Sequence, residues 1–177
     1  MQMLKRLLLV MTVLFACVGC DQTTKAAATA YLSERKTVSL LGGSVRLQIA
    51  KNYGAFLSLG ESMPQPWRTV LLSAGVAAVL IALFMYSLTA TSANPFIAPA
   101  LGMVVGGGVS NLADRLLYGG YVVDFLNVGV GPVRTGIFNF ADVFIMTGVL
   151  LIIFSDRLEE LLTKRSSGRS KTRAAER

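Results

Sequence analysis

The chain has 177 residues, room for one ordinary domain, and is 53% hydrophobic with 15% charged residues and a mean hydropathy of +0.58. A soluble domain carries about 25% charged residues, so this balance excludes an ordinary soluble protein and points to an α-helical polytopic membrane protein. The net charge is +7 and histidine is absent, which removes Ser-His and Cys-His catalysis and histidine-based zinc sites, so no metal and no cofactor is expected.

Residues 1–163 read as a single membrane domain of four transmembrane helices. The first, about residues 7–32, is apolar to Gly19 and continues through "CDQTTKAAATAYL". Asp21 and Lys25 interrupt it at i, i+4, on one face, where they can pair. Its two cysteines, Cys17 and Cys20, cannot supply the four ligands of a structural zinc site, and no βαβ pattern supports a redox C-x-x-C. An outer segment follows, about residues 33–66, with β-branched residues, partial alternation and Gly pairs that predict two or three short strands on the membrane surface. It contains "KNYGAF", with Asn52 and Gly54.

The second helix, about residues 69–89, is uncharged. The third, about residues 95–117, carries Gly106–Gly108, small enough for close approach to a neighbouring helix, and ends in a polar cluster of Asn111, Asp114 and Arg115. An Asp114–Arg115 interfacial anchor is the plain reading of that cluster. Residues 118–136 form a second outer segment, read as an outer loop that contains the flexible Gly/Pro stretch "GVGPVRTG". The fourth helix, about residues 137–155, holds Asp142 in its first turns. Residues 164–177 form a basic tail, expected to be disordered. From Asp156 to Arg177 there are seven basic and four acidic residues. Directly after an apolar helix, such a tail marks the cytoplasmic side and anionic lipid rather than nucleic acid. Lys5 and Arg6 precede the first helix, so both termini are predicted to be cytoplasmic.

That topology puts Asp124 and Asp142, eighteen residues apart, near the outer face. Two carboxylates close together in a poorly solvated site cannot both ionise cheaply, which gives an acid and a base at one pH. Such a pair can activate water against an amide. The alternative is that Asp142 pairs with Arg115 or Lys25 to tie helices together, and the two aspartates alone leave both readings open.

The motifs "DQTTK" (21–25), "NYGAF" (52–56), "GGVSNLADR" (107–115), "VVDF" (122–125) and "FNFAD" (138–142) resemble, in that order, those of lipoprotein signal peptidases, the signal peptidase II family. The resemblance implies an aspartyl endopeptidase of the bacterial inner membrane, active near the periplasmic face, with a small periplasmic β-sheet cradle. It would cut diacylglyceryl prolipoproteins before the lipidated cysteine, as a monomer inhibited by globomycin-type cyclic peptides. Matched by motif, Asp124 and Asp142 are the catalytic pair. Asn111 and Arg115 line the substrate site, Asn139 and Ala141 flank a catalytic aspartate, and Asp21, Lys25, Asn52 and Gly54 orient helices and loop; Asp114 stands among the supporting residues.

Three other readings compete with this one. "LLLVMTVLFACVGCD" is similar to a lipoprotein signal peptide, with Cys20 as the lipidated residue and the chain as a substrate. A Ser–Lys peptidase would use Ser110 and Lys25. A non-catalytic scaffold or small transporter would use the aspartates for protons, though proton relays belong nearer the bilayer middle.

Overall fold

The computed structural model describes residues 2–32, 36–54, 62–89 and 94–175. Ala55 and Phe56 of the "NYGAF" motif and Arg35 of the first outer segment lie outside them. Among the described residues there are five α-helical stretches and one four-stranded antiparallel sheet of order β1-β2-β3-β4. Helix α1 runs Gln2–Tyr31. Strands β1 (Val38–Leu40) and β2 (Val45–Asn52) form a hairpin. Helices α2 (Gln65–Thr69) and α3 (Val76–Thr89) are one rod joined by a π-type segment, Val70–Gly75. Helix α4 spans Ile97–Leu117, strands β3 and β4 span Val122–Val130 and Val133–Arg134, and α5 spans Phe140–Ala175. The stretches Met3–Tyr31 and Pro66–Thr89 are long and apolar enough to cross a membrane.

Helix α4 is the hub, and "GGG" is why. Each of the three glycines meets a different neighbour: a Cβ on Gly106 would stand 3.0 Å from the Leu14 backbone of α1, and one on Gly107 would stand 2.5 Å from the Ala141 carbonyl oxygen of α5. One on Gly108 would run into Leu80 of α3. Small residues at all three positions let three helices close on one axis. The expectation of close approach holds, and it brings Ala141, next to Asp142, onto α4.

The second outer segment differs from its prediction. Residues 122–130 are not loop but strand β3, hydrogen-bonded along β2 with Asn52 opposite Val122 and Ala50 opposite Asp124. Val122, Val123 and Phe125 are buried against the helices, and that burial fixes a run whose β-branched residues already favour a strand. Gly131, at φ 57°, starts the turn into β4, with Pro132 following. The last helix also departs from expectation. It starts at Phe140 rather than near 137, and it runs on as helix to Ala175 where a disordered tail past Lys164 is predicted. No proline interrupts it, and Glu160–Lys164 at i, i+4 (2.5 Å) supports its exposed stretch.

Candidate active site

The site is built on the start of α5. Asn139 caps this helix: its side-chain oxygen accepts from the Asp142 N–H (3.0 Å), while Asp142 Oδ2 accepts from the Asn139 N–H (3.3 Å). This is a reciprocal capping box with Asn at the cap and Asp at the third helical position. The intervening Ala141 N–H donates to Asp21 Oδ1 of α1 (2.8 Å). Three N–H groups at a helix start that the helix itself cannot satisfy are thereby paired. A second helix's carboxylate thus caps α5, a placement the helix dipole favours.

Asp124 approaches from β3. Its Oδ1 accepts from Asn139 Nδ2 (2.6 Å) and its Oδ2 from Asn52 Nδ2 (2.9 Å), the latter a diagonal neighbour across the β2–β3 ladder. Asn52 Oδ1 in turn accepts from the Gly54 N–H (2.9 Å). Asn139 also donates to Asn111 Oδ1 (3.1 Å), and Asn111 Nδ2 donates to Asp142 Oδ1 (3.0 Å). Two asparagine amides therefore join the two carboxylates, which are 2% and 7% exposed.

Behind this pair lies a charged support. Lys25 Nζ contacts Asp21 Oδ2 (2.7 Å), Asp114 Oδ2 (2.8 Å) and Asn111 Oδ1 (3.0 Å). The predicted Asp21–Lys25 pairing is present, and Lys25 does not pair with Asp142. Asp114 Oδ2 also accepts from the Val123 N–H of β3 (3.1 Å), beside Asp124. Arg115 donates to the Gly54 carbonyl (2.7 Å) and the Asn111 carbonyl (3.3 Å) rather than to a carboxylate. It holds the end of β2 against α4, so the expected Asp114–Arg115 anchor is replaced by two separate tasks. Ser110 hydrogen-bonds Asp21 Oδ2 (2.7 Å) rather than Lys25, which leaves a Ser–Lys pair without support. Two residues of this network were not picked out as supports from sequence, Gln22 and Ser110. Gln22 Nε2 donates to Asp114 Oδ1 (2.7 Å) and Ser110 Oγ (3.0 Å); its i+3 offset from Lys25, on one face, was the available signal.

Burial, with the neighbouring Asp142 charge second, pushes the Asp124 carboxyl from 3.8 up to about 7, against the opposing pull of the Asn52 and Asn139 hydrogen bonds. The folded protein therefore keeps a proton that the unfolded chain releases between about pH 4 and 7. Stability from this group is full below about pH 4, declines as pH rises through that window, and levels off above it. Thermal midpoints in detergent should show that decline, and Asp124→Asn should lack this component.

An apolar groove of about 340 Å³ opens beside Asp142, walled by Thr135, Gly136, Phe138, Val143, Met146 and Leu150. It runs along α5 away from the carboxylates.

Apolar helices around a buried, amide-linked pair of carboxylates define a helical membrane protein with a buried polar centre. Comparison with known proteins agrees: the family model for Signal peptidase (SPase) II matches residues 13–156. The lipoprotein signal peptidase of Caldicellulosiruptor bescii is 34% identical over 148 residues, covering 82% of this chain and 90% of that one. That of Rhodococcus jostii is 32% identical over 154 residues, covering 84% and 72%. A bacterial membrane enzyme solved in meso at 2.3 Å resolution shares the fold, with a TM-score of 0.72 and 24% identity over 89% of this chain and 90% of its own. The chain belongs to the signal peptidase II family, and so is a membrane peptidase.

Proposed function

We propose that this protein is an intramembrane aspartyl endopeptidase that removes signal peptides from diacylglyceryl prolipoproteins, cutting before the lipidated cysteine. The observation that carries this reading is the linkage of Asp124 to Asp142 through Asn139 and Asn111, beside an apolar groove. Asp124 enters the reaction holding the pair's proton, because Asp142, in the first turn of α5, stands where the helix dipole favours the charged form. Asp142, at a helix start with two N–H donors on its oxygens, takes a proton from water as the water oxygen attacks the scissile carbonyl carbon. The C–N bond then breaks, and the proton held by Asp124 passes to the departing amine. The groove receives an acyl chain of the substrate, which keeps the scissile bond at the membrane boundary.

In this reading four helices cross the bacterial inner membrane, both termini are cytoplasmic, and the sheet and dyad lie near the periplasmic face. The protein works as a monomer without cofactor, and globomycin-type cyclic peptides compete for the site. Processing of the chain itself at Cys20 fits poorly, because α1 passes unbroken through Cys20 and carries Asp21 and Lys25 into the site.

The purified protein should cut a diacylglyceryl prolipoprotein with kcat/KM at least about a hundredfold above its unlipidated form, since burying a few methylenes is worth about 0.8 kcal/mol each. Equal rates on the two substrates would remove the groove's assigned task.

A further inference from the structure

Between the two aspartates the chain closes on itself twice, at different heights. The lower closure is backbone: the Phe125 and Leu126 N–H groups donate to the Phe138 carbonyl (3.1 and 2.9 Å), and the Phe138 N–H donates to the Leu126 carbonyl (2.9 Å). It ties the strand of Asp124 to the start of α5. The upper closure is made by side chains. Arg134 Nε donates to Asn127 Oδ1 (2.5 Å), Nη2 to the Asn127 carbonyl (3.2 Å), and Nη1 to the Gly43 carbonyl of the β1–β2 turn (2.9 Å). Asn127 Nδ2 then donates to the carbonyls of Thr135 (2.6 Å) and Gly136 (3.4 Å).

Thr135 and Gly136 are a wall of the groove beside Asp142. We propose that Asn127 and Arg134 form a clasp that positions this wall, setting how tightly the lipid-bearing part of the substrate is held. Three features carry the inference. All three guanidinium nitrogens are used on neutral acceptors, so the arginine acts as a geometric fork rather than a surface ion pair. Asn127 is buried, so its amide oxygen depends on that fork for a partner. The clasp also lies beyond the Leu126–Phe138 closure, which holds the dyad's elements without it. Loosening the clasp therefore moves the wall and leaves the carboxylates in place.

This inference rests on the peptidase reading, and two variants separate them. Arg134→Lys keeps the charge and loses the fork. Asn127→Asp keeps an acceptor for Arg134 and loses the donor to Thr135 and Gly136. Each should raise KM for a diacylglyceryl prolipoprotein about tenfold, the factor that follows from one lost buried hydrogen bond. In both, kcat and its pH profile should stay at wild-type values, and amide exchange at Val128 and Thr135 should quicken in Arg134→Lys. A fall in kcat at unchanged KM, a shifted pH profile, or wild-type kinetics in both variants would overturn the clasp as a positioning device. Should wild type fail to cut, the peptidase reading falls. Hydrogen exchange still decides the clasp: faster exchange in Arg134→Lys sustains it, and unchanged exchange overturns it.

Discussion

Asp124→Asn and Asp142→Asn should each cut a diacylglyceryl prolipoprotein at least about 10³-fold more slowly than wild type, the scale of losing a general acid or base. An amide of the same shape can neither take a proton from water nor return one to a leaving amine. The hydrogen bonds set the cost to folding. Both oxygens of each aspartate accept from N–H donors, Asp142 from Asn111 and the Asn139 backbone, Asp124 from Asn139 and Asn52. An asparagine presents one acceptor oxygen, so each variant turns one donor–acceptor contact into a donor–donor clash. That costs about 1–3 kcal/mol, offset at Asp124 by removal of a buried ionisable group. Steady-state rates and thermal midpoints taken together therefore distinguish a dead, folded enzyme from an unfolded one.

Lys25→Met should have the largest effect on stability. Lys25 is 4% exposed and lies between Asp21 and Asp114, both wholly buried. Removing the cation leaves two buried carboxylates facing each other, a loss of about 3–5 kcal/mol. The damage should spread to the reaction. Asp21 caps α5 at Ala141, Asp114 holds the Val123 N–H of β3, and Lys25 itself fixes the Asn111 oxygen. Denaturant or thermal unfolding in detergent should show the destabilisation, and activity should vanish with it. A Lys25→Met protein of wild-type stability would mean that this cluster does not hold the helices.

The elements that sequence reading found best were those with a strong local signal. The uncharged run of α3, the "GGG" of α4 and the i, i+4 pair Asp21–Lys25 each declare themselves within a few residues. The candidate site residues lie in five short motifs, and the structure joins Asp21, Lys25, Asn52, Gly54, Asn111, Asp114, Arg115, Asp124, Asn139, Ala141 and Asp142 in one connected network. What each does inside it was less legible. Arg115 looks like a carboxylate partner in sequence, yet it donates to the Gly54 carbonyl, a contact that depends on where β2 ends, and to the Asn111 carbonyl one turn back in its own helix.

Strand β3 escapes a local reading because its partners in β2 lie 70 (Asn52 to Val122) to 83 (Val45 to Val128) residues earlier, and glycine and proline near 129–132 read locally as a loop. The alternation in "VVDFLNVGV" was visible, but its pairing is a non-local fact. The start of α5 could have been placed better. Asn139 and Asp142 at i, i+3 are a capping signal, and they move the boundary from about 137 to 140.

The most direct test of the proposed reaction is the mass of the products formed when purified wild type, and a folded Asp142→Asn variant, act on a diacylglyceryl prolipoprotein. A single cut before the lipidated cysteine by wild type, with intact substrate remaining in the variant, is the predicted result. Cutting at another bond, or cutting by the folded variant at the wild-type rate, would contradict the aspartyl dyad.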